Sequence, residues 1–279
     1  MGLIDTTRAG CAALAAMSTL VVGAAGARAE SGLMEWQYSA GVALMKKMAP
    51  EIPHWQALVG PAALFHPSFP GSGRTVVQPG ITLDIRYRDR AFLSSGEGLG
   101  VNLVSTDHFR AGVSVNIELG RDQDDDDRLR GMGDLKPTPE FKAFADYVLF
   151  PLVLRGAVRK APFGHKGLLA DASLYLPVAG SEKFFVFVGP SVTISDNRYM
   201  ERTFGVNPAQ SVRSGYRPYD PGTGLRSAGF GVNAVWNMTE HWMLESSGAA
   251  EILLGDAYAS PLTRQRAGFS VALDVAYRF

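Results

Sequence analysis

The sequence has 279 residues, 46% of them hydrophobic, with 27 basic against 27 acidic side chains and a single cysteine, Cys11. A chain this close to neutrality lacks the basic excess that phosphate backbones select, which excludes electrostatic binding of nucleic acid. With its one cysteine near the start, the remainder has no disulfides and no thiol chemistry.

In chain order, residues 1–29 read as a secretory signal peptide. Arg8 supplies the basic region, residues 9–25 the apolar core, and Ala27-Arg28-Ala29 a cleavage site. Cys11 precedes the apolar core, so it is not a lipoprotein acceptor. Removing this segment takes away Arg8, Arg28 and Asp5, leaving 25 basic against 26 acidic residues, a net charge of −1. Residues 30–53 are ambiguous between a strand and a short amphipathic helix and read as an N-terminal segment facing the periplasm or the lumen.

Residues 54–279 read as strands almost throughout: 55–65, 75–87, 91–105, 109–119, 141–158, 166–178, 183–195, 225–238, 241–254 and 266–279. Several alternate cleanly. Phe109, Ala111, Val113, Val115, Ile117 and Leu119 oppose Arg110, Gly112, Ser114, Asn116 and Glu118, and side chains in a strand alternate with period 2. After the signal no apolar run approaches the ~18 residues of a membrane helix. A chain of this kind spans a membrane only as a closed barrel. The expected fold class is therefore all-β, a transmembrane antiparallel β-barrel of about ten strands (roughly 8–12) with a polar lumen and an apolar exterior, placed in the cell outer membrane.

With the last strand ending in the periplasm, the short turns 88–90, 179–182 and 239–240 fall there too, and 66–74, 159–165, 196–224 and 255–265 face outward. Trp55, Tyr87, Phe92, Tyr175, Phe184, Trp236, Trp242, Tyr277 and Phe279 collect beside the short turns, as an interfacial girdle requires. Two features resist. Pro61, Pro79, Pro151 and Pro190 lie in or near strands, where each removes a ladder donor. The long segment 120–140 falls on the periplasmic side, where loops are short.

Four stretches resemble the MipA/OmpV family of MltA-interacting outer-membrane proteins: WQALVGPAALFHPSFPGS at 55–72, GRDQDDDDRLRGMGDL at 120–135, NRYMERTFGVNPAQSVRSGYRPYDPGTGL at 197–225, and EHW with LLGDAYASPLT within 240–263. The resemblance implies a barrel scaffold that holds a lytic transglycosylase and a bifunctional penicillin-binding protein together. Other members are linked to adhesion or antimicrobial response. Tyr277 and Phe279 resemble the terminal signature read by the barrel-assembly machinery.

Expected partner-binding residues lie in the 120–140 loop: Arg121, Asp122, Asp124, Asp125, Asp126, Asp127, Arg128, Leu129, Arg130 and Met132. The aspartate run fails as an EF-hand, because Asp127 stands where Gly is needed and Gly133 where the bidentate Glu belongs. Its bland reading is a solvated loop. The apolar Leu129, Met132 and Leu135 fit either a plug or a docking surface. Asp84, Arg86, Arg110, Glu118, Glu245, Asp274 and Arg278 are expected to line the lumen, pairing to fill it or lining a narrow path or ligand cavity for small solutes. Loop 196–224 either meets external surfaces or folds in as a lid. The scattered histidines show no zinc spacing, and Ser105, Asp107 and His108 lie too close in sequence for a triad. The reading is of a protein that is not an enzyme and carries no cofactor or metal.

Overall fold

The computed structural model describes residues 54–161, 167–181 and 183–279. The expected signal peptide 1–29 and the segment 30–53 lie outside the described residues.

Twelve strands follow one another: β1 (Trp55–Pro67), β2 (Thr75–Tyr87), β3 (Ala91–Ser94), β4 (Gly98–Ser105), β5 (Phe109–Glu118), β6 (Thr138–Leu149), β7 (Leu152–Lys160), β8 (Leu168–Gly180), β9 (Phe184–Ser195), β10 (Gly224–Asn237), β11 (Trp242–Leu253) and β12 (Ala267–Arg278). Each pairs antiparallel with the next, and β1 pairs with β12, Leu58 opposite Arg278 and Phe65 opposite Val271, to close the barrel.

The count corrects the expected ten. Two of the expected strands are hairpins. Segment 91–105 turns at Ser95–Glu97, so that Ser94 pairs with Gly98. Gly98 makes this possible with φ +82, and a Cβ there would strike the Val115 carbonyl. Segment 141–158 turns at Phe150-Pro151, so that Leu149 pairs with Leu152. The two omissions cancel for every connection outside them. Only the connections between them change ends: 106–108, with His108, joins the short-turn end, and the long 120–140 segment joins 196–223 and 254–266 at the opposite end. The exception to the loop-length rule disappears.

The wall is inside-out relative to a soluble protein. Leu103 and Phe269 are 69% and 67% exposed on the outer face, whereas Lys142 and Asp146 are 3% and 1% exposed within. That distribution suits hydrocarbon outside and charge inside. Aromatics crowd the short-turn rim: the rings of Trp55 and Tyr87 lie 4.7 Å apart, Trp242 and Tyr277 5.1 Å, Tyr277 and Phe279 4.9 Å. Phe92 and Tyr175, expected in this girdle, are instead buried inside the barrel; both occupy lumen-facing positions of their strands.

Two prolines find an explanation in their neighbours. Between Val59–Tyr277 and Ala62–Asp274 the β1–β12 ladder skips Gly60 and Pro61. Between Ser173–Ser191 and Leu176–Val188 the β8–β9 ladder skips Gly189 and Pro190. Proline offers no N–H to the facing strand. The facing carbonyls, Val275 and Leu174, sit where a Cβ on Gly60 or Gly189 would be. Each Gly-Pro pair thus lets one carbonyl tilt out of the ladder. Gly60→Ala and Gly189→Ala should each destabilise the barrel by about 1–3 kcal/mol through overpacking. Urea unfolding of the folded barrel in micelles checks this, with Gly156→Ala, where a Cβ meets nothing within 4 Å, as the neutral comparison.

Candidate functional site

Two structures occupy the barrel: a charged layer in the lumen and a packed cap over the mouth opposite the short turns. The charged layer is centred on Glu97, fully buried at the tip of the β3–β4 turn. Arg86 Nη2 lies 2.8 Å from one of its oxygens, and Arg110 Nη1 and Arg155 Nη2 lie 3.2 and 3.6 Å from the other. Lys142 Nζ donates to the Glu97 backbone oxygen at 3.2 Å. Asp84 takes Arg86 in a two-point pair, both contacts 2.7 Å. Asp146 accepts from Arg110 at 3.2 Å and Arg155 at 3.0 Å. The guanidinium groups of Arg110 and Arg155 lie 4.7 and 5.1 Å from the centre of the Phe144 ring, a favourable placement for a partly desolvated cation.

The other expected lumen residues fall at three different levels. Glu245 and Asp274 face inward from β11 and β12. Glu118 lies under the cap, 2.6 Å from Arg202. Arg278 donates to Asn237 Oδ1 at 2.9 Å near the short-turn end. Glu97, Lys142, Asp146, Arg155 and Arg159 were absent from the expected set. Strand parity would have supplied the four on strands once the hairpins at 95–97 and 150–151 were placed; Glu97 sits in a turn and carries no periodic signal.

The cap is built from the hairpin tip 68–74 and segments 119–137, 196–223 and 254–266. It contains α1 (Asn197–Phe204), α2 (Pro208–Ser214) and α3 (Gly255–Ala259). Asp196 caps α1 by accepting from the Tyr199 N–H, and Asn207 with Gln210 forms a capping box on α2. Leu169, Tyr199, Met200, Phe204, Leu253 and Ala257 form one apolar cluster, and Phe69, Leu129, Met132, Val206 and Leu262 a second. Loop 196–224 is therefore a lid.

Of the expected partner-binding loop residues, Arg121, Leu129 and Met132 are buried in this cap. Arg121 donates to Thr203 O at 3.0 Å and Arg128 to Pro261 O at 2.9 Å, tying the loop to its neighbours. Asp126 accepts from Ser72 Oγ at 2.6 Å and Ser68 Oγ at 3.0 Å. Asp122 and Asp125 are half-buried, with the Asp122 N–H donating to Asp125 Oδ2 at 2.9 Å. Asp124, Asp127 and Arg130 remain exposed, the last two paired at 2.8 Å. Tyr277 and Phe279 sit in the aromatic rim at the other end. His66 is buried beside Pro67 O and Gln78.

The family profile described as MltA-interacting protein MipA matches residues 59–279. No curated protein matches the chain. Among solved structures, the chain is similar to the translocator domain of autotransporter NalP from Neisseria meningitidis, at 14% identity over 92% of this chain and 100% of that one, TM-score 0.39. It is similar to the outer membrane protein OprD from Pseudomonas aeruginosa at 11% identity over 83% and 66%, TM-score 0.36. An anion-selective porin from Comamonas acidovorans matches at 9% identity over 81% and 98%, TM-score 0.35.

Removing the Glu97 charge leaves Arg86, Arg110, Arg155 and Lys142 buried together with only Asp84 and Asp146 to balance them. Glu97→Gln should cost about 3–5 kcal/mol, read by urea unfolding. In the cap, burial opposes ionisation of Asp126. Bonds from Ser72, the Arg128 N–H and Ser68, with Arg74 nearby, outweigh it and hold the carboxyl below its usual range. A lowered folded value gives stability that is present above the unfolded value of about 3.9. That stability is lost as pH falls through the folded one. Protease cleavage within 119–137 should be flat from about pH 7 to 5 and rise as pH falls from about 5 to 2, and Asp126→Asn should be cleaved readily across the whole range.

Proposed function

The chain belongs to the family described as MltA-interacting protein MipA, and from that membership we propose that it is a non-enzymatic outer-membrane scaffold for murein-processing enzymes. The barrel anchors, and its periplasmic rim holds a lytic transglycosylase, with a bifunctional penicillin-binding protein as the second client. The family's name gives the first interaction; the second is carried by the sequence resemblance alone.

One observation supports a scaffold over a conduit. The mouth opposite the short turns is covered by the cap, with Leu129, Phe204, Ala257 and Leu262 completely buried. An open pore keeps that mouth wet; here two apolar clusters close it.

The docking end follows from connection lengths. Outer-membrane barrels place short turns in the periplasm and long loops outside. The short turns 88–90, 106–108, 150–151, 181–183 and 238–241 share the end with the aromatic rim. The 120–140 loop, expected to meet the enzymes, lies at the far end and closes the mouth instead. The periplasmic surface offers the 88–90 turn. Arg88 and Asp89 hold positive φ there, and Asp89 accepts from Ser105 Oγ and from Asn102 Nδ2 at 3.2 Å. That turn is tied by these bonds to Asn102 and Ser105 and carries two exposed arginines, Arg88 and Arg90.

Photo-crosslinking in cells separates the two ends. A crosslinker at Arg88 or Arg90 should capture a lytic transglycosylase, and one at Asp124 should not. Capture from Asp124 alone, or from neither end with the barrel folded, would refute the reading.

A further inference from the structure

The two sides of the lumen are filled differently. One wall, β2 to β8, carries the bulky paired cations, carboxylates and aromatics of the Glu97 layer. The other, β10 to β12 and on to β1, carries the Arg226–Glu251 pair toward the cap, Arg278 toward the short turns, and between them small residues and two acids, Glu245 and Asp274. Glu245 and Asp274 are direct partners in the β11–β12 register. Continuing sideways along that row, Asp274 faces Ala62, and Ala62 faces Gly80, where a Cβ would meet nothing within 4 Å.

Their hydrogen bonding is incomplete in one sense only. Asn233 Nδ2 donates to Glu245 Oε1 at 2.6 Å and to Ser247 Oγ at 2.7 Å. Asn233 Oδ1 and Asp274 Oδ1 are buried with no partner. Among the described residues no Lys, Arg or His forms an ion pair with Glu245 or Asp274; the nearest layer's Arg86 is held by Asp84 and Glu97. Directly opposed like charges destabilise a sheet, and buried acceptors without donors call for a bound species. Both unpartnered atoms on this row and the next are acceptors.

We propose that Glu245, Asp274 and Asn233 Oδ1 bind a hard divalent cation of the calcium class, with water completing its shell. Two carboxylates balance its charge, and carboxylate and amide oxygens are the ligands such ions take. Only two ligands are ionised, which places the site among weak ones, filled at millimolar calcium. The site is independent of the scaffold reading.

Equilibrium dialysis with radiolabelled calcium tests this on the mature full-length chain, folded in micelles and stripped by chelator. Folding of each variant is checked by heat-modifiable gel mobility. Wild type should bind one calcium per chain, and binding should weaken at least tenfold in Glu245→Gln, Asp274→Asn and Asn233→Ala. The loop variant Asp124→Asn/Asp127→Asn should bind as wild type, and sodium at matched ionic strength should not displace the ion. No saturable binding, loss in the loop variant alone, unchanged binding in the lumen variants, or displacement by sodium would each overturn the assignment. Unchanged binding in the lumen variants would place the bound calcium outside this row.

Discussion

A wall of strands standing in hydrocarbon has to pair its backbone N–H and C=O groups with its own neighbours, and closure is the only arrangement that leaves no edge. The rest of this molecule depends on that constraint. It fixes the outward residue at every second position as apolar, and it leaves the inward set to be settled by the chain itself. It also explains how proline is tolerated. Pro61 and Pro190 each leave a facing carbonyl without a donor, and Gly60 and Gly189 give that carbonyl somewhere to go. Pro79 presents its donorless nitrogen to the side of β2 that β3 covers only over Asp84–Tyr87, so no ladder bond is lost with β3.

Filling the interior with charge is costly unless each ion is matched, and replacement by apolar side chains is often neutral or better. The matching here depends on an unusual source. Strands β4 to β7 project Arg110, Lys142, Arg155 and Arg159 inward against Asp146 and Glu140, the latter beside Arg159. The balancing carboxylate comes from a turn. Because β3 has only four residues, its turn lies within the barrel wall and not at its rim, and Glu97 reaches three guanidinium groups from there. The short hairpin is thus part of the electrostatics as well as of the wall.

Much of this was legible in the sequence. Alternation in 109–119 and 266–279 gave both faces of β5 and β12, and Asp84, Arg86 and Arg110 were assigned inward by parity alone. The missed hairpins had different causes. The turn at Ser95–Glu97 has three residues, so Leu93 and Leu99 keep the same parity and the alternation runs through it unbroken. At Leu149-Phe150 two outward apolar residues stand side by side, 57% and 72% exposed, immediately before Pro151. That break in period was visible and marks a turn. The cap was illegible for another reason. Leu129, Val206 and Leu262 meet across more than a hundred residues of chain, and no local period encodes such contacts.

The aspartate run shows how composition misleads when tertiary ties are unknown. Read alone, it is a charged surface waiting for a cation or a basic partner. In the fold its members have separate duties. Asp126 fastens the loop to Ser68 and Ser72, Asp125 accepts from the Asp122 N–H, and Asp127 pairs with Arg130 in full solvent. An exposed pair of that kind is worth only ~0–1 kcal/mol. A partner approaching that end would find Asp124 and one neutralised pair, set on a loop whose apolar residues are already buried. The opposite end presents an aromatic rim and the hydrogen-bonded 88–90 turn with two exposed arginines. Part of the charge that the sequence concentrates in the loop, Asp126, Arg121 and Arg128, ties the cap together, and the scaffold proposal therefore looks to the opposite end.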